Sequence, residues 1–140
     1  INMDLVIGTE CLPVKGQTVL GDGFYSTPGG KGANQAVAAA RLGADVRMVG
    51  RVGEDVQGRE LLISLTNEGI DVSGVSVDPK HPTGVSLITV DKFGENTIVA
   101  AYGANSYCGN EELILAEKAV VDDDILLIQN EVPSEFNQDI

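Results

Sequence analysis

The run Pro28-Gly29-Gly30-Lys31-Gly32-Ala33-Asn34 sets three glycines around a lysine and leads straight into QAVAAARLGA. Glycines let a backbone approach a ligand closely and take dihedrals that other residues avoid. A helix start adds unpaired N–H groups and a partial positive charge. Asn34 supplies both a donor and an acceptor. A phosphate loop of the form G-x-x-x-x-G-K-[ST] is excluded, because Gly32 follows Lys31 and Tyr25 stands five residues before Gly30. A G-x-G-x-x-G dinucleotide loop is excluded too. Gln35 holds the last glycine position, and the segment before the loop is a poor central strand. Two readings remain. One is a site for a polar ligand whose oxygens both give and take hydrogen bonds. The other is a helix-entry turn with a solvated lysine.

Composition narrows the ligand. The 140 residues carry a formal net charge of -12. No basic footprint exists to neutralise DNA or RNA phosphates, so nucleic acid is set aside. No basic amphipathic face addresses anionic lipid, and no apolar run is long enough to span a bilayer. No signal peptide opens the chain, and the two cysteines, Cys11 and Cys108, form no CxxC or CxxH pattern. The expectation is a cytoplasmic protein with reduced thiols. Tryptophan is absent and aromatics are scarce, so the core must be aliphatic and alanine-rich.

The elements that would position the loop follow from periodicity. Ala33, Ala36, Val37 and Ala40 fall at i, i+3, i+4 and i+7, which predicts a helix over 32–42 with Gly43 as its left-handed stop. VLGDGFYSTP before it reads at best as an edge strand. DVRMVGRVG reads as a short strand running into a glycine loop. A second helix is expected over 55–68, with Asp55 as N-cap and Leu61, Leu62 and Leu65 as its buried stripe. IDVSGVSV reads as a weak strand. TGVSLITV and NTIVAAY, joined by DKFGE, read as a hairpin that stands out from the sheet. GANSYCGN is a polar loop. EELILAEKAVV is a third helix with Asn110 as cap, and Ser134 opens a fourth. The apolar run DILLIQ predicts a strand buried on both faces. Helices alternating with strands give an α/β fold with a mostly parallel sheet. The absence of an initiator Met, and the stop soon after DILLIQ, read as two cut ends.

The neighbourhood of the glycine loop is more specific than the loop itself. PGGKGANQAVAAARLGADVRMVGRVGEDVQG resembles the N-terminal signature of the ribokinase family of carbohydrate kinases, the phosphofructokinase-B type. INMDL is similar to the family's Asn-x-Asp segment after the first strand. LPVKGQTVLGDGFYSTPGGKGAN follows the Leu-Pro … Gly-Glu-Thr … Pro-Gly-Gly-Lys-Gly-Ala-Asn pattern, with Gln17 where Glu is usual. PTGVSLITVDKFGENTIVAAYGAN resembles the second lid hairpin and its Gly-Ala-Asn turn, and LLIQNEVP the Gln-x-Glu strand end. The resemblance covers essentially the whole chain, and the Lys-Gly-Ala-Asn core points to the ribokinase branch.

The resemblance implies a partial ribokinase-like α/β fold over 1–140, with a small β-sheet lid from about 5–27 and 84–101. It implies sugar contacts from Asn2, Met3 and Asp4, from the loop Gly29, Gly30, Lys31, Gly32, Ala33 and Asn34, and from Glu131. An ionised Asp4 only accepts hydrogen bonds, which suits neighbouring hydroxyl donors. The bland alternatives are a turn carboxylate at Asp4, a surface lysine at Lys31 and a solvated loop charge at Glu131. The implied activity is phosphoryl transfer from ATP to a sugar, foremost D-ribose, with Mg2+, a monovalent cation (K+) and a homodimer formed through lid strands. The family's Gly-Ala-Gly-Asp motif, which carries the catalytic base, does not occur here. Its Asn-x-x-Glu magnesium segment is absent as well, since Asn110-Glu111-Glu112 is differently placed and spaced. The chain alone is therefore expected to be inactive. A sugar-binding or self-associating half-domain is the alternative, and fructose, deoxyribose or a nucleoside are alternative substrates. Other features read as structural. His81 sits alone in a Lys-His-Pro loop, Cys11 lies in a variable segment, and Asp122-Asp123-Asp124 is a solvated turn. Tyr102 either packs near the sugar or only finishes a strand.

Overall fold

The computed structural model describes residues 1–122 and 124–140. Strand β1 (Asn2–Thr9) leads to β2 (Gly21–Gly29), helix α1 (Lys31–Arg41), β3 (Arg47–Gly53), α2 (Val56–Asn67), β4 (Asp71–Asp78), β5 (Gly84–Val90) and β6 (Asn96–Ala101). A 3-10 turn (Gly103–Tyr107), α3 (Asn110–Ala119) and α4 (Ser134–Asp139) complete it. Four strands form one sheet in the order β2-β1-β5-β6, and β3 and β4 form a second. Among the described residues the β1–β5 and β3–β4 ladders are parallel, while β1–β2 and β5–β6 are antiparallel. The result is a mixed α/β fold with helices against sheet.

α1 buries Ala33 and Ala36 with Leu65 and Ile70, flanked by Val37, Ala40, Val46 and Met48. That is the predicted small-residue stripe. Alanine lets the helix sit close to its neighbours and is also the best helix former. Gly43 ends the helix at φ 93°, and Arg41 pairs with Glu68 at the end of α2. In α2, Leu61 and Leu65 are buried and Leu62 is half-buried. Asp55 caps the helix, its Oδ1 accepting from Gly58 N at 2.8 Å. The same carboxylate accepts from Thr83 N at 2.8 Å and Thr83 Oγ1 at 2.6 Å. The cap of α2 thereby fixes the start of β5 and, through the parallel ladder, its place beside β1. The Asp55 carboxyl lies below its ordinary range. Burial opposes this, but the Thr83 and Gly58 hydrogen bonds outweigh it.

Two expectations are corrected. DILLIQ forms no strand, and Ile125 and Leu127 are largely exposed. A strand buried on both faces needs paired edges and a layer above and below, and no described strand or helix supplies these to 124–129. Asn110 is the first residue of α3 and not its cap. The capping position is Gly109, whose N–H donates to Glu112 Oε2 at 2.8 Å. Ser134 opens α4 as expected, with Pro133 in the capping position. The middle residue of the Asp122–Asp124 turn lies outside the described residues, while Asp124 lies 3.8 Å from Arg47.

Candidate functional site

The register of the four-stranded sheet lays out the site. Asn2 and Asp4 are two residues apart on β1 and so share a face, while Met3 points to the other face and is buried. Asn2 lies opposite Gly29 on β2 and Gly84 on β5. Asp4 lies opposite Thr27 and Ser86. Asn2 is thus flanked by glycine on both sides, and Asp4 by two hydroxyl residues.

The glycines clear space for these side chains. A Cβ on Gly29 would come within 2.1 Å of Asp4 Oδ2. A Cβ on Gly84 would come within 2.2 Å of Asn2 Oδ1 and 2.4 Å of Asn105 Nδ2. Asp4 therefore leans over β2 and Asn2 over β5. Gly30, with φ 92°, makes the turn from β2 into α1, and a Cβ there would meet Asn2 N at 2.8 Å. The helix start is thereby held against the backbone of Asn2.

α1 begins at Lys31 with no side-chain cap, so its first N–H groups face the loop without an intrahelical partner. Lys31 is exposed and forms an ion pair with Glu131. That contact holds the Lys31 ammonium above its ordinary range, first through the hydrogen bond and then through the charge of Glu131. Gln129 Nε2 donates to Gln35 Oε1 at 2.8 Å, so the 129–131 segment docks on the helix start without being a strand. Asn34 lies on an open groove of about 280 Å3 lined also by Thr27, Pro28, Gly29 and Val37. That groove does not include Asn2, Asp4, Lys31 or Glu131. The structure thus gathers Asn2 and Asp4 beside Gly29 and Gly84, joins Lys31 to Glu131, packs Ala33 in the core and sets Asn34 on the adjoining groove. Gly32 lies close to Gln129 and Met48.

Asn105 is the residue sequence reasoning missed. It is 3 % exposed and hydrogen-bonds Ile1, Asn2 and Tyr102. The only signal was the Gly-Ala-Asn turn at 103–105, which repeats the triplet at 32–34. Chemically, the face offers an ionised acceptor at Asp4, amide groups at Asn2, hydroxyls at Thr27 and Ser86, and helix N–H groups nearby. Such a mixture suits a small polyhydroxyl compound.

A second cluster is structural in design. Arg51 binds Asp78 at 3.2 Å, Glu111 at 2.6 Å and Glu112 at 2.8 Å, with Glu112 fully buried. His81 bonds Asp78 at 3.0 Å and stacks on Tyr107. Burial, with the nearby Glu112 charge, pushes the Cys108 thiol up to about 11.

The chain resembles known proteins in sequence and fold. The ribokinase of Bacillus subtilis is 42% identical over 134 residues, which are 96% of this chain and 45% of that protein. The ribokinase structure from Giardia lamblia superposes with a TM-score of 0.87 at 32% identity, covering 99% of this chain and 44% of that one. The Arabidopsis thaliana ribokinase, solved with ribose and ATP, superposes with a TM-score of 0.79 at 31% identity over 97% of this chain and 45% of that one. The chain thus spans somewhat less than half the length of these relatives. The family model described as pfkB family carbohydrate kinase matches residues 1–140, and the chain belongs to that family.

Proposed function

We propose that this chain is the sugar-recognition part of an ATP-dependent sugar kinase whose full-length form converts D-ribose to ribose 5-phosphate. The observation that carries the reading is the Asn2–Asp4 face: two hydrogen-bonding side chains on one strand, flanked by Gly29 and Gly84, with no hydrophobic side chain in the two rows across β2, β1 and β5. Asp4 accepts from sugar hydroxyls. The loop Gly29–Asn34 and Glu131 close on the same sugar, with Met3 holding β1 from behind. The Lys31–Glu131 pair joins the loop to the opposite wall of the site. Ribose is favoured because the Arabidopsis relative was solved with ribose and ATP.

ATP, Mg2+ and K+ belong to the reaction as the family performs it. Among the described residues no group of three or more His, Cys, Asp or Glu is placed to hold a metal ion. The chain's own part ends at binding and orienting the sugar, and no base is assigned within it. The protein works in the cytoplasm as a homodimer through its lid. The outer strands β2 and β6 carry exposed Phe24 and Val99, which share one face of the four-stranded sheet with exposed Ile7 and Leu87, a face suited to a second copy.

A coupled ADP-release assay with a sugar panel tests the reading. The full-length protein should turn over ribose faster than fructose, deoxyribose or a nucleoside, and the 140-residue chain should turn over none of them. No turnover of any sugar by the full-length protein would overturn the kinase reading. Turnover by the short chain would overturn its inactivity.

A further inference from the structure

The Asn105 side chain sits where β1, β5 and the 3-10 turn meet. Its Oδ1 accepts from Ile1 N at 3.0 Å. Its Nδ2 lies 3.0 Å from Ile1 O, 2.8 Å from Tyr102 O and 2.9 Å from Asn2 Oδ1. Backbone carbonyls only accept and backbone nitrogens only donate, so these neighbours fix which end of the Asn105 amide is which. The nitrogen must face the two carbonyls. The Asn2 atom that meets it must then be an acceptor, its Oδ1. Asn2 Nδ2 makes no hydrogen bond within the described chain. The single buried side-chain atom left unpaired among the described residues is Ser76 Oγ, so Asn2 Nδ2 retains access to solvent space.

We propose that Asn105 is a positioning residue for sugar recognition: it holds the Asn2 amide with its oxygen committed to the protein and its nitrogen presented to the ligand. Asn2 then acts only as a donor, beside Asp4, which acts only as an acceptor. Turning the Asn2 amide over would set two NH2 groups against each other, so the polarity of the pair is built in. Gly84 is part of the device, because any side chain there would occupy the space of the Asn2–Asn105 contact. The chemical consequence is a selection rule. The ligand must offer Asp4 a hydroxyl that donates and offer Asn2 an oxygen that accepts. A hydroxyl satisfies either, whereas an ammonium fails at Asn2 and a carboxylate fails at Asp4. The proposal rests on the sugar-binding reading above and adds Asn105 to it.

The test is calorimetry on the full-length protein with ribose, each of its monodeoxy analogues, and ATP. In the unaltered protein, removing the hydroxyl served by Asn2 weakens binding about tenfold, the scale of one hydrogen bond. In Asn105→Ala, ribose affinity falls about tenfold, ATP affinity stays unchanged, and the penalty for that one missing hydroxyl shrinks toward onefold. A merely structural role would weaken ribose and every analogue by the same factor, and that result overturns the proposal. Asn2→Asp keeps an oxygen for Asn105 and turns the free donor into an acceptor; it should lose about a hundredfold in ribose affinity. Ribose binding by Asn2→Asp equal to the unaltered protein overturns the proposal too, and this variant decides alone if Asn105→Ala does not fold. Failure of the unaltered protein to bind any sugar overturns the sugar reading, and the Asn105 assignment with it.

Discussion

The two walls of the candidate site are built differently. On one side, Asn2 is 4 % exposed, clamped by Asn105, and backed by β5, whose first residues are tied to the cap of α2 through Asp55 and Thr83. On the other side, Lys31 and Glu131 meet in an exposed ion pair, and Glu131 sits on a segment with no strand pairing. The first wall is held by buried hydrogen bonds, Asn105 donating to Asn2 Oδ1 and Asp55 accepting from Thr83. The second is held by a contact that water competes for. In the proposed function, fixed polarity belongs to the first wall, the one assigned to ligand recognition. Adjustability belongs to the second, where a ligand must be able to enter and leave.

Substitutions should break the two walls unequally. Gly84→Ala acts most strongly, since its Cβ meets Asn2, Asn105 and the Tyr102 carbonyl at once. It should cost about 3 kcal/mol of stability in a denaturant titration, the upper range for overpacking. Asp4→Ala removes the ionised acceptor and should weaken sugar binding about a hundredfold by calorimetry, with little change in melting temperature. Asp55→Ala strips the α2 cap and the Thr83 tether together and should destabilise by about 2 kcal/mol in thermal melts. Because folding lowers the Asp55 and Asp78 carboxyls, their stabilisation is complete above roughly pH 4, the unfolded-state value. It is lost as pH falls through the lower folded-state values. Melts between pH 7 and pH 2 should show that loss, and a smaller one in Asp55→Ala. Asn34→Ala, on the neighbouring groove, should weaken sugar binding about fivefold. Lys31→Ala, which breaks the exposed pair with Glu131, should leave the melting temperature nearly unchanged and weaken sugar binding by about twofold.

The helices and the α2 cap were legible because their signals are local. Alanines at helical spacing and an Asp before VQG need no distant partner to be interpreted. The hairpin β5–β6 was legible for the same reason. The parallel β1–β5 pairing was not, since it joins residues 2–8 to 84–90 across two helices and several strands. DILLIQ misled because an apolar run reports hydrophobicity and not the presence of neighbours to bury it. Asp4 and Lys31 stood out through motifs, whereas Asn105 read as one polar residue in a polar loop. Its role exists only once the 3-10 turn folds back onto Ile1 and Asn2. Gly84 was hidden likewise, because the side chains it makes room for come from other parts of the chain.

The most direct measurement of the central claim is a calorimetric titration of ribose into the full-length protein and its Asp4→Ala variant at neutral pH. The unaltered protein should bind ribose at one site per chain, and Asp4→Ala should bind about a hundredfold more weakly with ATP affinity preserved. Equal ribose affinity in the two proteins would contradict the assignment of the Asn2–Asp4 face as the sugar site.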